Sequence, residues 1–221
     1  MAKHLEFELD ELQKKILSLA TLVEEQVRTA VGCVEKKDAT AAYKIIENDG
    51  IIDNREIEVE EDCLKILALY QPVAVDLRFI IAVLKINNDL ERIGDLAANI
   101  ADRAIPLSES PFFTFISKLP LMCEKALTML QQCLDAFFRM DSTAAYVVCR
   151  SDHEVDALYL EMVEVVKRGI EGATDRINEY ILVLSVARSI ERIADHATNI
   201  AEDVIYMLEG DIVRHREALI Q

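Results

Sequence analysis

Four pairs of carboxylates recur in this chain at one spacing. Glu91 and Asp95 lie in "LERIGDLAANIADRAI" (90–105), and a near copy a hundred positions on, "IERIADHATNIAEDVI", carries Glu191 and Asp195. Asp49 and Asp53 form a third pair, Asp152 and Asp156 a fourth. Residues four apart in an α-helix are separated by only about 40° around the axis, so each pair points one way. Like charges at that spacing cost a few tenths of a kcal/mol in an isolated helix. A cation between them reverses that cost. Carboxylate oxygens suit hard ions such as Mg²⁺, Ca²⁺ or Mn²⁺, and also iron; zinc with mainly oxygen ligands is less typical.

Other chemistry finds little support. The chain has no Glu-x-x-His pattern of the di-iron bundle type, and no G-x-S-x-G, P-loop, H-E-x-x-H or C-x-x-C motif. Catalytic residues are therefore not assigned, and an enzyme, such as a carboxylate-bridged metallohydrolase, is the lesser reading. The plainest alternative is a structural coiled-coil scaffold with solvated acids, in which Arg92 and Arg192 neutralise the carboxylates without metal. Recurrence argues against it. Between residues 88–105 and 188–205, Glu91, Arg92, Asp95 and Asn99 are repeated as Glu191, Arg192, Asp195 and Asn199, whereas Phe79 has become Glu179. His153 and His196 adjoin the acidic pairs and are read as partly exposed surface residues rather than ligands.

The elements that position these groups are helices. Leu9, Leu12, Ile16, Leu19, Val23, Val27, Ala30 and Val34 recur in steps of three and four, which predicts one buried face over about 5–35. Asp38 is a candidate cap for a second helix over about 39–69, whose core stripe is the heptad Ile45, Ile52, Val59 and Ile66. Pro72 ends that helix and can open a third, reaching about Ile105, with Ile86, Leu90, Ile93, Ala97 and Ile100 inward. "PLSESPFFTFISKLP" (106–120) holds three of the four prolines and reads as a linker, with Phe112, Phe113 and Phe115 packing against something. The second half repeats the order: a helix over about 121–139, a break with Asp141 as candidate cap, a helix over about 143–167, loosening at Gly169 and Gly172, and a last helix over about 175–208. An all-α fold follows, of two tandem pseudo-symmetric three-helix bundles: residues 1–105, a linker 106–120, and residues 121–221.

Bulk properties agree. The 221 residues carry 24 Lys and Arg against 40 Asp and Glu, a net charge of −16 that repels nucleic acid and anionic membrane. A hydrophobic content of 52% supplies a core, and only 6 glycines and 4 prolines suit helices. Five cysteines at odd count among apolar neighbours read as buried thiols of a cytoplasmic protein. The N-terminal segment lacks the apolar run of a signal peptide, and no stretch approaches the roughly 18 apolar residues of a membrane span.

"QPVAVDLRFIIAVLKINNDLERIGDLAANIA" and "SIERIADHATNIAED" resemble the two signature segments of the PhoU family of phosphate-uptake regulators. The resemblance covers nearly the whole chain. It implies two similar three-helix bundles, frequent homodimers, and metal ions (iron or zinc, with manganese and magnesium also associated) held on helix surfaces by paired E(D)-x-x-x-D motifs. Residue by residue, those motifs fall on Asp49 and Asp53 with Glu91 and Asp95, and on Asp152 and Asp156 with Glu191 and Asp195. The implied role is negative regulation of phosphate-starvation signalling, connecting the ATPase subunit of a phosphate ABC transporter to a sensor histidine kinase. The two halves differ within the signature: Gly94 is matched by Ala194 and Leu96 by His196.

Overall fold

The computed structural model describes residues 2–111, 118–211 and 213, and their regular structure is wholly helical. Six long helices run in order: α1 (Ala2–Lys36), α2 (Ala39–Tyr70), α3 (Ala74–Glu109), α4 (Lys118–Arg139), α5 (Ser142–Gly172) and α6 (Ile177–Glu209), the last preceded by a 3₁₀ turn at Thr174–Arg176. The stripes read from the sequence are the ones buried. Ile45, Ile52, Val59 and Ile66 of α2 are all buried, and Ile86, Leu90, Ile93, Ala97 and Ile100 of α3 are wholly inaccessible.

Helices α1, α2 and α3 pack on one another, and α4, α5 and α6 do likewise, giving the two three-helix bundles. The bundles are not separate bodies joined by a strap. Their third helices, α3 and α6, lie along each other at the centre, with α1 against α4 beside them. Polar contacts give the register of that seam. Arg78 Nε donates to the Met207 carbonyl at 3.0 Å, Lys85 Nζ meets Asp203 Oδ1 at 2.9 Å, and His196 Nδ1 meets Asp89 Oδ1 at 2.8 Å. As the α3 number rises the α6 number falls, so the two run antiparallel. Phe79 of α3 stacks on Phe137 of α4, ring centroids 5.6 Å apart, and closes one side of the seam.

Both expected caps form. Asp38 accepts from the Ala41 N–H at 2.9 Å and Asp141 from the Ala144 N–H at 3.0 Å, each satisfying a free donor at a helix start. Elsewhere the ends shift. Pro72 stays in the connection, and α3 opens at Ala74, because Gln71 turns left-handed to end α2 (φ 48°). Pro106 lies inside α3 rather than after it. Leu107, fully buried, anchors the turn beyond the proline, and Ser108 Oγ donates to the Ile105 carbonyl at 2.7 Å. Pro120 sits in the first turn of α4, where a missing N–H costs nothing. Gly169 and Gly172 remain helical: a Cβ at Gly169 would stand 2.3 Å from the Tyr180 ring, so the glycine admits α6 rather than breaking α5. Phe112, Phe113 and Phe115 lie outside the described residues.

Candidate metal centre

In each half the middle and third helices bring their carboxylate pairs to one seam. In the first half α2 presents Asp49 and Asp53, and α3 presents Glu91 and Asp95. Ile52, buried in the core heptad, fixes the rotation of α2 so that both aspartates flank it toward α3. Gly94, between Glu91 and Asp95, lets the helices close: a Cβ there would stand 2.9 Å from Ile52 Cδ1. Electrostatics show that the four groups feel one another. Burial raises the Asp49 carboxyl above its usual range, opposed by a hydrogen bond from Gln26 Nε2 (3.2 Å) and reinforced by Asp53 and Asp95. Glu91 is raised by burial, then by Asp95, against the nearby Arg92.

The second half repeats the arrangement with α5 and α6. Asp152 is pushed up to about 6 by burial, then by Asp156, Asp195 and Glu191. The Thr198 hydroxyl opposes this weakly without completing a hydrogen bond of good geometry, so Asp152 Oδ1 and Thr198 Oγ1 are both buried and unpaired. Glu191 and Asp195 are raised by burial first and by their carboxylate neighbours next. In each half the four sequence-assigned carboxylates thus lie near enough to act on one another electrostatically. Exposure varies along the seams: Glu91 keeps 22% of its side-chain exposure and its Oε2 accepts no hydrogen bond, whereas Asp53, Asp156 and Asp195 are exposed.

Arginine is the internal rival to a cation. Arg92 lies 3.3 Å from Glu91 Oε2 and 3.3 Å from Asp95 Oδ2, yet its side chain is 54% exposed, so the attraction is weakened by solvent. As placed, no three His, Cys, Asp or Glu side chains among the described residues converge as a ligand set. The donor chemistry nonetheless fits an oxygen-seeking ion. Each half buries one carboxylate oxygen that accepts no hydrogen bond, Glu91 Oε2 and Asp152 Oδ1. An ion drawn into each seam would satisfy those orphans and remove the mutual repulsion. Nitrogen and sulfur are not on offer. His153 is exposed and turned to the Arg150 carbonyl. His196 is not the surface residue that its sequence suggests: its side chain is 16% exposed, and it is committed to Asp89 across the central seam. The cysteines are free and buried, and burial pushes Cys63, Cys123 and Cys149 up to about 12, leaving thiols rather than thiolates at neutral pH.

Four contributors escape a reading of spacing alone. Gln26 comes from α1, Glu56 from the next turn of α2, Asn87 from α3 and Thr198 from α6. Asp38 and Asp141 cap matching helices, so the first two helices of each half align at an offset of 103 and the third at 100. Gln26 then matches Met129, Glu56 matches Tyr159, Asn87 matches Ala187, and Thr198 matches Ala98. The doubled carboxylates are the shared part, and these four differ in every case, so repetition could not reveal them.

Comparison with known proteins agrees with this duplicated geometry. The family model described as "PhoU domain" matches twice, over residues 16–104 and 119–204. The chain is 34% identical over 208 residues to "Phosphate-specific transport system accessory protein PhoU homolog 1" of Thermotoga maritima, covering 94% of this chain and 90% of that one. It is 38% identical over 212 residues to the "Phosphate-specific transport system accessory protein PhoU homolog" of Pseudomonas aeruginosa, covering 94% of this chain and 86% of the relative. The crystal structure of PhoU from P. aeruginosa superposes with a TM-score of 0.88 at 37% identity, over 93% of this chain and 99% of that one. The phosphate transport system regulatory protein PhoU from Streptococcus pneumoniae gives 0.88 at 30% identity, over 95% and 99%. Two matched copies of one domain, carrying two copies of one carboxylate seam on the fold that those crystal structures share, place this chain in the PhoU family.

Proposed function

We propose that the protein is a cytoplasmic, non-enzymatic regulator that restrains phosphate uptake and phosphate-starvation signalling. It acts as a homodimeric, metal-binding adaptor between the ATPase subunit of a phosphate ABC transporter and a sensor histidine kinase. The observation that carries this reading is the pair of carboxylate seams in a chain whose relatives are named phosphate-specific transport system accessory proteins.

Charge supports an adaptor over a direct sensor. A chain at −16 repels free phosphate, and its acidic seams repel it most strongly. Phosphate status then reaches the protein through its partners, or through a metal that turns an acidic patch into one tolerant of anions. The bound ion (iron, zinc, manganese or magnesium) is held by Asp49, Asp53, Glu91 and Asp95 in one half and by Asp152, Asp156, Glu191 and Asp195 in the other. When bound, it would supply positive charge at the seam. No helix of the described residues is long and apolar enough to cross a membrane, which suits a protein that reaches its membrane partners by docking.

The test is a pull-down of the purified transporter ATPase and sensor kinase on immobilised protein, with metal supplied and with metal stripped by chelator. Retention of both partners is expected, stronger with metal. Failure to retain either partner under both conditions refutes the adaptor reading. Isothermal titration of metal-free protein with phosphate is its companion, and tight binding there refutes the claim that phosphate information arrives indirectly.

A further inference from the structure

Among the described residues, Gln26 is the one polar side chain of α1 that is buried, on the same face as the core residues Val23, Val27 and Ala30. A buried amide on an apolar stripe is costly unless its polar atoms are engaged. Its Nε2 donates to Asp49 Oδ1 at 3.2 Å, reaching from the first helix to the second. Chemistry sets the direction of that bond, because the amide turned over would aim its own oxygen at a carboxylate oxygen. A carboxylate offers about four lone-pair sites, so one N–H on Oδ1 leaves Oδ2 and part of Oδ1 open to another partner. The amide is also neutral. It turns the Asp49 carboxylate without taking a cation's place there, as Arg92 does beside Glu91 and Asp95.

The second half has the same aspartate without the amide. Met129 stands 23 residues before Asp152, as Gln26 stands 23 before Asp49. Met129 is buried like Gln26, but a thioether has no hydrogen to give. Asp152 Oδ1 is left buried and accepting nothing. We propose that Gln26 is a positioning residue of the first seam: its amide fixes the direction of the Asp49 carboxylate for a divalent cation, and the second seam, with Met129 in that place, has no such hold. This rests on the reading of the seams as cation sites and deepens it. An aspartate that is already turned loses less freedom when an ion arrives, and so binds it more tightly. The first seam thereby draws on α1 as well as on the two helices that carry its carboxylates.

The full chain carrying Asp152→Asn and Asp156→Asn keeps only the first seam intact. Its titration with Mn²⁺ alone, with free ion followed by electron paramagnetic resonance, reads that seam by itself. Adding Gln26→Met, which sets the second half's residue at the matching position, is expected to weaken Mn²⁺ binding about 10–100-fold. A double-mutant cycle separates positioning from packing: once Asp49→Ala has removed the carboxylate, Gln26→Met is expected to have no further effect on the affinity that remains. Unchanged affinity in Gln26→Met overturns the positioning role and leaves the seams as cation sites. An equal loss with and without Asp49 overturns it too, since Gln26 would then act through the packing of α1. A wild type that binds no Mn²⁺ overturns the cation reading of the seams as well.

Discussion

If the carboxylate seams exist for a cation, they should weaken the metal-free fold, and Asp152 is where the effect is largest. Its carboxyl titrates near 6 in the folded protein, against an ordinary value of 3.8. The native state therefore binds the proton more tightly than the unfolded chain does. Below about 4 both states are protonated, and the group is neutral in its effect. As pH rises through 6 the native state must carry a half-buried charge among three others, and stability falls. A difference of about two pH units corresponds to about 3 kcal/mol at full strength. The side chain is only partly buried, so solvent screening reduces this to about 1–2 kcal/mol. Asp152→Asn, close in shape and uncharged, removes that cost. In metal-free protein at pH 8 the variant should melt about 2–8 °C higher than the wild type, using about 2–4 °C per kcal/mol for a chain of this size. The gap should close as pH falls from 6 to 4. Added Mn²⁺ should reverse the order, since only the wild type keeps all four carboxylates of the second-half seam and so gains stabilisation from both halves. Differential scanning calorimetry at pH 4.5 and 8, with and without Mn²⁺, reads all four conditions. A variant no more stable than wild type at pH 8 without metal would refute the reasoning, as would a gap independent of pH.

Three further outcomes follow from the packing. Gly94→Ala sets a Cβ 2.9 Å from Ile52 Cδ1, and overpacking of about 1–3 kcal/mol against a helix-propensity gain of about 1 kcal/mol leaves a loss of about 1 kcal/mol in denaturant melts. Asp141→Ala removes the acceptor for the Ala144 N–H and should cost about 1 kcal/mol by the same measurement, with metal content unchanged. Lys85→Met withdraws the cation facing Asp203, whose side chain is only 2% exposed, and should cost about 2 kcal/mol. That is below the value for a fully buried pair because the Lys85 side chain is 39% exposed.

The elements were legible because helices announce their buried face locally. The heptad Ile45, Ile52, Val59 and Ile66 and the caps Asp38 and Asp141 are visible within single segments, and each took its expected place. Pro106 misled because its cost is local while the burial of Leu107 that offsets it is tertiary. The site was half legible for the same reason. Its eight carboxylates come from spacing repeated along the chain. Gln26 reaches Asp49 from a helix 23 residues earlier, and His196 meets Asp89 across 107 residues, and no periodicity records either contact.

The pairing of Asp89 with His196 has a consequence for ancestry. The counterpart of Asp89 in the second half is Ser189, and the counterpart of His196 in the first is Leu96. A chain built from two first halves would face Asp89 with a leucine and bury a lone carboxylate at both ends of the seam. One built from two second halves would face His196 with a serine. The two copies are thus complements at this contact, each carrying the partner that the other lacks.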